Sequence, residues 1–153
     1  MTEKELIKRT ESKIKLYQLM KINYNNLEDD IKKLETKKEG GSTSIISISG
    51  QRSLNTDNFN IIKITDTINR KRGLQDRLAD EMRAIERALD QIKTEQYFFI
   101  IEDYYLKDIT IQEIVENNYI SNTTFFNNRN RLLKKIGLIL FPETFIKLSL
   151  NYN

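Results

Sequence analysis

The sequence predicts an all-α protein in which two long helices precede a small helix-turn-helix domain. Residues 3–38 and about 58–92 carry apolar residues at helical spacing, and residues 94–150 carry several shorter helical patterns. The apolar fraction is 39% and the charged fraction is 31%, a balance that favours long solvated helices over one large core. We therefore expect a helical hairpin or coiled coil in residues 1–93 and a compact domain in residues 94–150.

The first long helix is predicted over residues 3–38, which contain no glycine or proline. A lone amphipathic helix cannot bury an apolar stripe, so the stripe in this segment predicts a partner helix. The residues of the stripe are Leu6, Tyr17, Met20, Tyr24, Leu27, Ile31 and Leu34.

An insert at about residues 39–60 is predicted to interrupt the two long helices. Its first part, Gly40 to Ser44, favours a turn or flexible segment, because glycine and serine are typical of loops. Residues 45–49 are rich in isoleucine and fit a short strand or hairpin arm. A loop of this length without structure is unusual unless it is functional, and the sequence leaves both an ordered loop and a disordered one open.

The second long helix is predicted over about residues 58–92. Leu78, Ile85 and Ile92 repeat at intervals of seven, as in a coiled coil. Gly73 costs the helix roughly 1 kcal/mol relative to alanine and permits a kink. Two arrangements satisfy the apolar stripes: an antiparallel hairpin within one chain, or a parallel coiled coil that makes a homo-oligomer.

The region 94–150 is predicted to be a compact helical domain. Thr94 is a candidate N-cap for an aromatic-rich helix at about 95–106. Gly137 is a candidate C-cap for the last long helix, because glycine is favoured just beyond a helix end. The apolar tail at 138–148, which Pro142 interrupts, either folds back over the core or forms a dimer contact.

The composition excludes most catalytic chemistry. The chain has no cysteine and no histidine, which removes disulfides, thiolate chemistry, the commonest general base and the commonest metal ligand. It also lacks the glycine-rich loops that bind phosphates. We expect no enzymatic activity, no cofactor and no metal site. The absence of a signal peptide and of a long apolar run predicts a cytoplasmic protein without a membrane partner.

The most informative segment is 110–136, whose pattern predicts a helix-turn-helix. Thr110 and Glu113 form a capping box at the start of a short helix. Residues 116–120 are the predicted turn, with Asn117 or Asn118 in a left-handed conformation and Ile120 as its anchor in the core. Ile111, Ile114 and Val115 are predicted to face inward.

The second helix of the motif is predicted to begin at its N-cap, Ser121, with Thr124 in the first turn. Its buried stripe is Phe125, Leu132, Leu133 and Ile136. Residues 121–142 contain four cations and no acid, whereas residues 94–117 contain six acids and one lysine. This segregation predicts that the second helix faces the phosphate backbone and bases of double-stranded DNA.

The predicted DNA-binding residues therefore lie on this second helix. They are Ser121, Asn122, Thr123, Thr124, Asn127, Asn128, Arg129, Arg131, Lys134 and Lys135. Within this set, bases are the predicted partners of Thr123, Thr124, Asn127, Asn128 and Arg131, and phosphates those of Arg129, Lys134 and Lys135. Phe126 is predicted either to touch a thymine methyl group or to join the core.

The motif resembles domain four of bacterial sigma factors, and in particular the small phage regulators of the ArpU and RinA kind. The resemblance rests on Thr110-x-x-Glu113-Ile114, on Ser121-x-x-Thr124-Phe125 and on Arg129-x-Arg131-Leu-Leu-x-Lys135-Ile136. Its strong part covers about residues 85–137. It implies a sigma-factor-like regulator of phage or prophage late genes that acts at a promoter and contacts host RNA polymerase.

Two other functions remain as alternatives. A phage DNA-packaging protein of the terminase small subunit type also joins a helix-turn-helix to helical oligomerisation segments. A helical protein-interaction module needs only the long helices. A ring-shaped oligomer in solution would favour the packaging protein over the regulator. A lack of DNA binding even at low salt would favour the interaction module.

Overall fold

The computed structural model describes residues 1–44 and 51–150, and it describes side chains for residues 1–40 and 58–150. Every regular element in these residues is a helix, which confirms the predicted all-α class. The elements are α1 (Glu3–Ser44), α2 (Gln51–Ile92), α3 (Phe98–Ile101), a π-helical turn (Glu102–Leu106), α4 (Ile111–Asn117), α5 (Asn122–Leu140) and α6 (Pro142–Leu150).

The described residues pack as two compact units. The first unit combines residues 1–18 with residues 82–150, and the second contains the described residues between 19 and 81. The first unit thus joins the beginning of α1 and the end of α2 to the helix-turn-helix segment. The division of the sequence at residue 93 remains a prediction about which part folds independently.

In the second unit α1 and α2 pack antiparallel. Ile31 of α1 and Ile68 of α2 are buried. The residue numbers of the hydrogen-bonded partners run in opposite directions along the two helices: Gln75 Nε2 donates to Glu28 Oε2 (2.7 Å), and Arg72 pairs with Glu35. The partner helix that the apolar stripe of α1 predicts is therefore a segment of the same chain.

Most of the predicted insert is helical. α1 extends through Gly40 to Ser44, and α2 begins at Gln51 rather than near residue 58. The physical reason is that glycine weakens a helix by only about 1 kcal/mol and keeps its backbone hydrogen bonds, unlike proline. α2 likewise runs through Gly73 as one helix. The strand predicted at residues 45–49 lies outside the described residues.

The core of the first unit is built from α1, α2, α3, α4 and α5. Its fully buried apolar side chains come from all five of these helices. The largest of these side chains are Leu6, Ile14, Ile85, Ile100, Ile101, Ile114, Phe125, Leu132, Leu133 and Ile136.

Gly137 is not a helix cap, because α5 continues beyond it to Leu140. It lies where α5 comes closest to α1. A Cβ atom at this position would lie 2.9 Å from Leu6 Cδ1 and closer still to Thr10 Oγ1. The Thr10 hydroxyl is buried and donates to the carbonyl of Leu6 (2.8 Å), so it is not free to move away. The missing side chain therefore permits the close approach of two helices.

The predicted cap at Thr94 is also wrong, because α3 begins only at Phe98. The intervening residues form turns, in which the Glu95 N–H donates to the carbonyl of Ile92 (2.9 Å) and the Phe98 N–H donates to that of Glu95 (3.2 Å). Tyr97 precedes α3 in a left-handed conformation, with φ of 69°. The backbone therefore turns away from α2 before the aromatic helix begins.

The apolar tail forms α6, which packs on the first unit through one side only. Thr144 is buried, and its hydroxyl contacts Met1 Sδ at 3.9 Å. Phe145, Ile146 and Leu150 are more than half exposed. The tail thus folds back as predicted at Thr144, while its opposite side remains on the surface.

We predict that Gly137→Ala destabilises the protein by up to about 2 kcal/mol. Overpacking a core costs roughly 1–3 kcal/mol, which exceeds the gain of about 1 kcal/mol from the higher helix propensity of alanine. The matched control is Gly73→Ala in α2, where a new Cβ meets no atom within 4 Å. The control is expected to stabilise by about 1 kcal/mol. Denaturant unfolding measures both, and equal shifts in the two variants would contradict the close approach at Gly137.

Candidate nucleic-acid interface

A small apolar cluster fixes the helices of the candidate interface. Ile100 of α3, Ile114 of α4 and Phe125 of α5 are buried together. Tyr104 packs edge-on against Phe125, with 5.7 Å between ring centroids. Partly buried side chains complete the cluster: Tyr97, Phe99, Ile109, Ile111, Val115 and Ile120. The predicted inward face of α4 and the predicted anchor of the turn are therefore confirmed.

The first helix of the motif begins at the predicted residue. Thr110 has extended backbone angles, and its side chain accepts a hydrogen bond from the Glu113 N–H at 3.3 Å. This bond satisfies one of the amides that a helix start leaves without a partner. The predicted N-cap of α4 is confirmed.

The turn between α4 and α5 is left-handed at Tyr119, not at Asn117 or Asn118. Tyr119 has φ of 54°, whereas Asn118 has φ of −107°. The Ile120 N–H donates to the carbonyl of Val115 (3.2 Å), and the Tyr119 N–H donates to that of Glu116 (3.4 Å). This pair of bonds defines a Schellman motif, whose left-handed residue is Tyr119. Asn118 instead uses its side chain, which donates to the carbonyl of Ile114 at 2.8 Å.

The second helix of the motif also begins as predicted. Ser121 is extended, and its hydroxyl oxygen accepts from the Thr124 N–H at 3.0 Å. The same hydroxyl donates to Thr124 Oγ1 at 2.9 Å. The two ends of the turn are thus fixed by hydrogen bonds, so α5 leaves the turn in one direction.

The buried stripe of α5 contains the predicted residues, since Phe125, Leu132, Leu133 and Ile136 are fully buried. Phe126 is neither fully buried in the core nor fully exposed. Its ring is 39% exposed, packs edge-on against Phe125 and lies 5.0 Å from the Arg129 guanidinium carbon. Phe126 is therefore a surface residue whose inner edge touches the core.

Only some of the ten predicted DNA-binding residues have free polar groups. Ser121 and Thr124 are engaged in the helix cap, and Asn128 Nδ2 donates to the carbonyl of Thr124 at 2.8 Å. The four cations are paired within the chain, as described below. Among the residues whose side chains are described, no hydrogen-bond partner is found for three exposed members of the set: Asn122, Thr123 and Asn127.

Glu95 holds two of the four cations of α5. Its carboxylate accepts from Arg131 Nη1 at 3.1 Å and pairs with Lys135. Hydrogen bonds from Lys135 and then Arg131 lower the pKa of the Glu95 carboxyl below its usual value. Arg131 makes two further bonds, from Nη2 to the carbonyl of Gln96 (3.0 Å) and from Nε to Asn128 Oδ1 (3.4 Å). The turn after α2 is therefore tied to the middle of α5.

Carboxylates of α1 hold the other two cations. Lys134 Nζ lies 3.0 Å from Glu3 Oε2, and Arg129 Nη1 lies 3.9 Å from Glu11 Oε1. Glu11 also accepts a hydrogen bond from the Tyr105 hydroxyl at 2.8 Å. Burial, together with this bond to Glu11, raises the pKa of the Tyr105 phenol far above its usual range. Arg129 is half-buried and lies among these groups rather than on the open surface.

The cationic helix that the sequence predicts is thus balanced by acids from elsewhere in the first unit. Glu3 and Glu11 belong to α1, and Glu95 belongs to the turn after α2. The sequence offered no local signal for these pairs, because they join residues far apart along the chain. An exposed ion pair contributes only about 0–1 kcal/mol, so the three exposed cations, Arg131, Lys134 and Lys135, can exchange a carboxylate for another anion at small cost.

In the described residues, no helix is long and apolar enough to cross a membrane. The same part of the chain has no group of three or more acidic, histidine or cysteine side chains arranged to hold a metal ion. No protein-family model, curated protein or solved structure matches the chain.

We predict that Tyr119→Gly stabilises the protein by about 0.5–1 kcal/mol. A left-handed backbone costs a non-glycine residue roughly 1–2 kcal/mol, and glycine adds roughly 0.4–1 kcal/mol of entropy to the unfolded chain. Because Tyr119 is 95% exposed, removal of its side chain forfeits little packing. The control is Glu116→Gly within α4, which is expected to destabilise by roughly 0.5 kcal/mol. Thermal unfolding compares them, and a loss of stability in Tyr119→Gly would show that the ring contributes more than the strain costs.

Proposed function

We propose that the protein is a sequence-specific, double-stranded-DNA-binding transcriptional regulator that uses α4 and α5 as its helix-turn-helix. The observation that carries the proposal is the structure of the motif, in which two capped helices are joined by a hydrogen-bonded turn and share an apolar cluster. This arrangement leaves the outer side of the first turns of α5 exposed. In a helix-turn-helix, the N-terminal residues of the second helix contact base edges in the major groove.

The cations of α5 support this proposal through their position. Arg131, Lys134 and Lys135 follow the exposed first turns along the helix and are paired with carboxylates at the surface. A phosphate is an alternative partner for each of them, and surface ion pairs are weak enough to exchange. When DNA binds, its phosphates replace the carboxylates as partners of these cations. This exchange keeps the affinity for DNA moderate and makes it depend on salt.

The biological setting of the proposal comes from the resemblance to phage regulators of the ArpU and RinA kind. This resemblance implies that the DNA site is a promoter of phage or prophage late genes. It also makes host RNA polymerase a second partner, since domain four of sigma factors acts as part of that enzyme. A cytoplasmic location follows from this role.

The test of DNA binding is a triple variant, Arg131→Ala with Lys134→Ala and Lys135→Ala. The salt dependence of binding to prophage promoter fragments is expected to flatten by about 0.9 in log–log slope for each lost phosphate contact, and the affinity at low salt is expected to fall. Fluorescence anisotropy across a salt series measures both quantities.

The matched control removes three exposed cations of α2: Lys63→Ala, Arg70→Ala and Arg77→Ala. It changes the net charge by the same amount, but its residues lie in the second unit. The control is expected to keep most of the salt slope. Equal losses in both variants would indicate attraction by net charge alone, and unchanged binding in the α5 variant would disprove the assignment of this helix.

A helical interaction module is the second candidate, and the exposed apolar side of α6 favours it. Phe145, Ile146 and Leu150 lie on the surface of a helix that packs through Thr144. If the wild-type protein binds no duplex even at low salt, this candidate replaces the regulator. A ring-shaped oligomer in solution, measured by light scattering, would instead favour a packaging protein.

A further inference from the structure

The exposed start of α5 carries an uncharged patch, which consists of Thr123, Phe126 and Asn127. Their spacing of three and four residues makes them neighbours on one side of a helix. All three are exposed, and in the part of the chain with described side chains the polar groups of Thr123 and Asn127 have no hydrogen-bond partner. The patch therefore offers one amide, one hydroxyl, one methyl group and one aromatic ring to a partner.

Arg131, the exposed arginine of α5, is held in place by other groups. Arg131 donates from all three guanidinium nitrogens: Nη1 to Glu95, Nη2 to the carbonyl of Gln96 and Nε to Asn128. A bidentate contact with guanine needs two of these donors at once. Arg131 would have to give up most of its present bonds before it could contact guanine in this way.

We propose that the patch recognises A·T base pairs in the major groove and that Arg131 makes no guanine contact. This inference rests on the proposed function, since it names the base pairs that the same helix contacts. It changes the role that the sequence predicted for Arg131, which becomes a positioning residue that ties α5 to the turn at residues 95–96. Asn127 becomes the principal base-contacting residue.

The chemistry of the patch fits adenine and thymine. The carboxamide of Asn127 combines one acceptor with one donor group, which matches the N6 donor and N7 acceptor of adenine. Guanine presents two acceptors, N7 and O6, so the carboxamide oxygen would face an acceptor there. The methyl group of Thr123 and the ring of Phe126 fit the C5 methyl group of thymine.

The first experiment selects bound duplexes from a random pool with the full-length protein. The expected motif is built on A·T pairs, and Asn127→Ala is expected to lose about tenfold of the discrimination at one A·T position. Asn69→Ala, an exposed asparagine of α2, is the matched control and is expected to leave the motif unchanged. Asn127→Asp is a second variant, which keeps the size of the side chain and removes its donor.

The second experiment weakens the hold on Arg131. Glu95→Gln removes the charge that holds Nη1, so a two-point guanine contact through Nη1 and Nη2 then costs only the bond to the Gln96 carbonyl. The variant is expected to create a guanine preference of about tenfold at a position beside the A·T pairs. The control is Glu143→Gln at the start of α6, which makes the same change in net charge and is expected to keep the wild-type motif. Circular dichroism checks that both variants are folded.

The outcomes separate the two levels of the proposal. If the wild-type protein binds no duplex at low salt, the proposed function fails and the inference fails with it. If the wild-type protein selects a motif that contains a guanine, and Arg131→Ala abolishes the preference for that guanine, the proposed function stands and the inference is overturned. Binding without any base preference, or a motif that neither Asn127 variant alters, would also overturn it.

Discussion

The close approach of α5 to the beginning of α1 at Gly137 covers the later turns of α5 and leaves its first turns for a partner. Because Gly137 has no side chain, Leu6 and Thr10 fill the space beside it. This contact places α1 along α5, and it is the reason that Glu3 reaches Lys134 and Glu11 reaches Arg129. One side of α5 is therefore covered by α1, and the cations near its middle meet acids of the same unit.

The other constraint on α5 is the cluster of Ile100, Ile114 and Phe125, which holds its first turns against α3 and α4. The intervening turn is fixed at the expense of backbone strain. A left-handed Tyr119 costs roughly 1–2 kcal/mol, and the two Schellman hydrogen bonds, each contributing about 0.5–1.5 kcal/mol, offset it. The patch of Thr123, Phe126 and Asn127 is exposed for two reasons. Phe125 holds the opposite side of the first turns against α3 and α4, and the close contact with α1 at Gly137 lies ten residues beyond Asn127.

The parts of this arrangement that the sequence predicted are those that depend on near neighbours. The caps at Thr110 and Ser121 and the stripe from Phe125 to Ile136 require contacts within a turn or two of helix, and the structure contains them. Propensity predicts an asparagine at the left-handed position of the turn. Asn118 instead bonds its side chain to the carbonyl of Ile114, and the left-handed position passes to Tyr119.

The features that the sequence missed depend on tertiary contacts. The sequence predicts a helix end at Gly137, although the absence of a side chain suits a cap and a close helix contact equally well. The glycines near residue 40 stay helical, since a modest loss of propensity does not break a helix. The partners of the α5 cations, Glu3, Glu11 and Glu95, are separated from that helix by long stretches of chain, and no local pattern reveals them.

The internal pairing of the cations has a consequence for the proposed complex with DNA. Non-specific binding comes almost entirely from phosphate contacts, so carboxylates that occupy Arg131, Lys134 and Lys135 weaken it first. Within the part of the chain whose side chains are described, the groups of Thr123 and Asn127 that would face bases have no hydrogen-bond partner to lose. In the proposed complex, the pairing would therefore lower affinity for arbitrary sequences more than affinity for a matching site. Because a genome offers a large excess of non-specific sites, the ratio of specific to non-specific affinity matters more than the absolute affinity. A high ratio of this kind is compatible with a net charge of only +3.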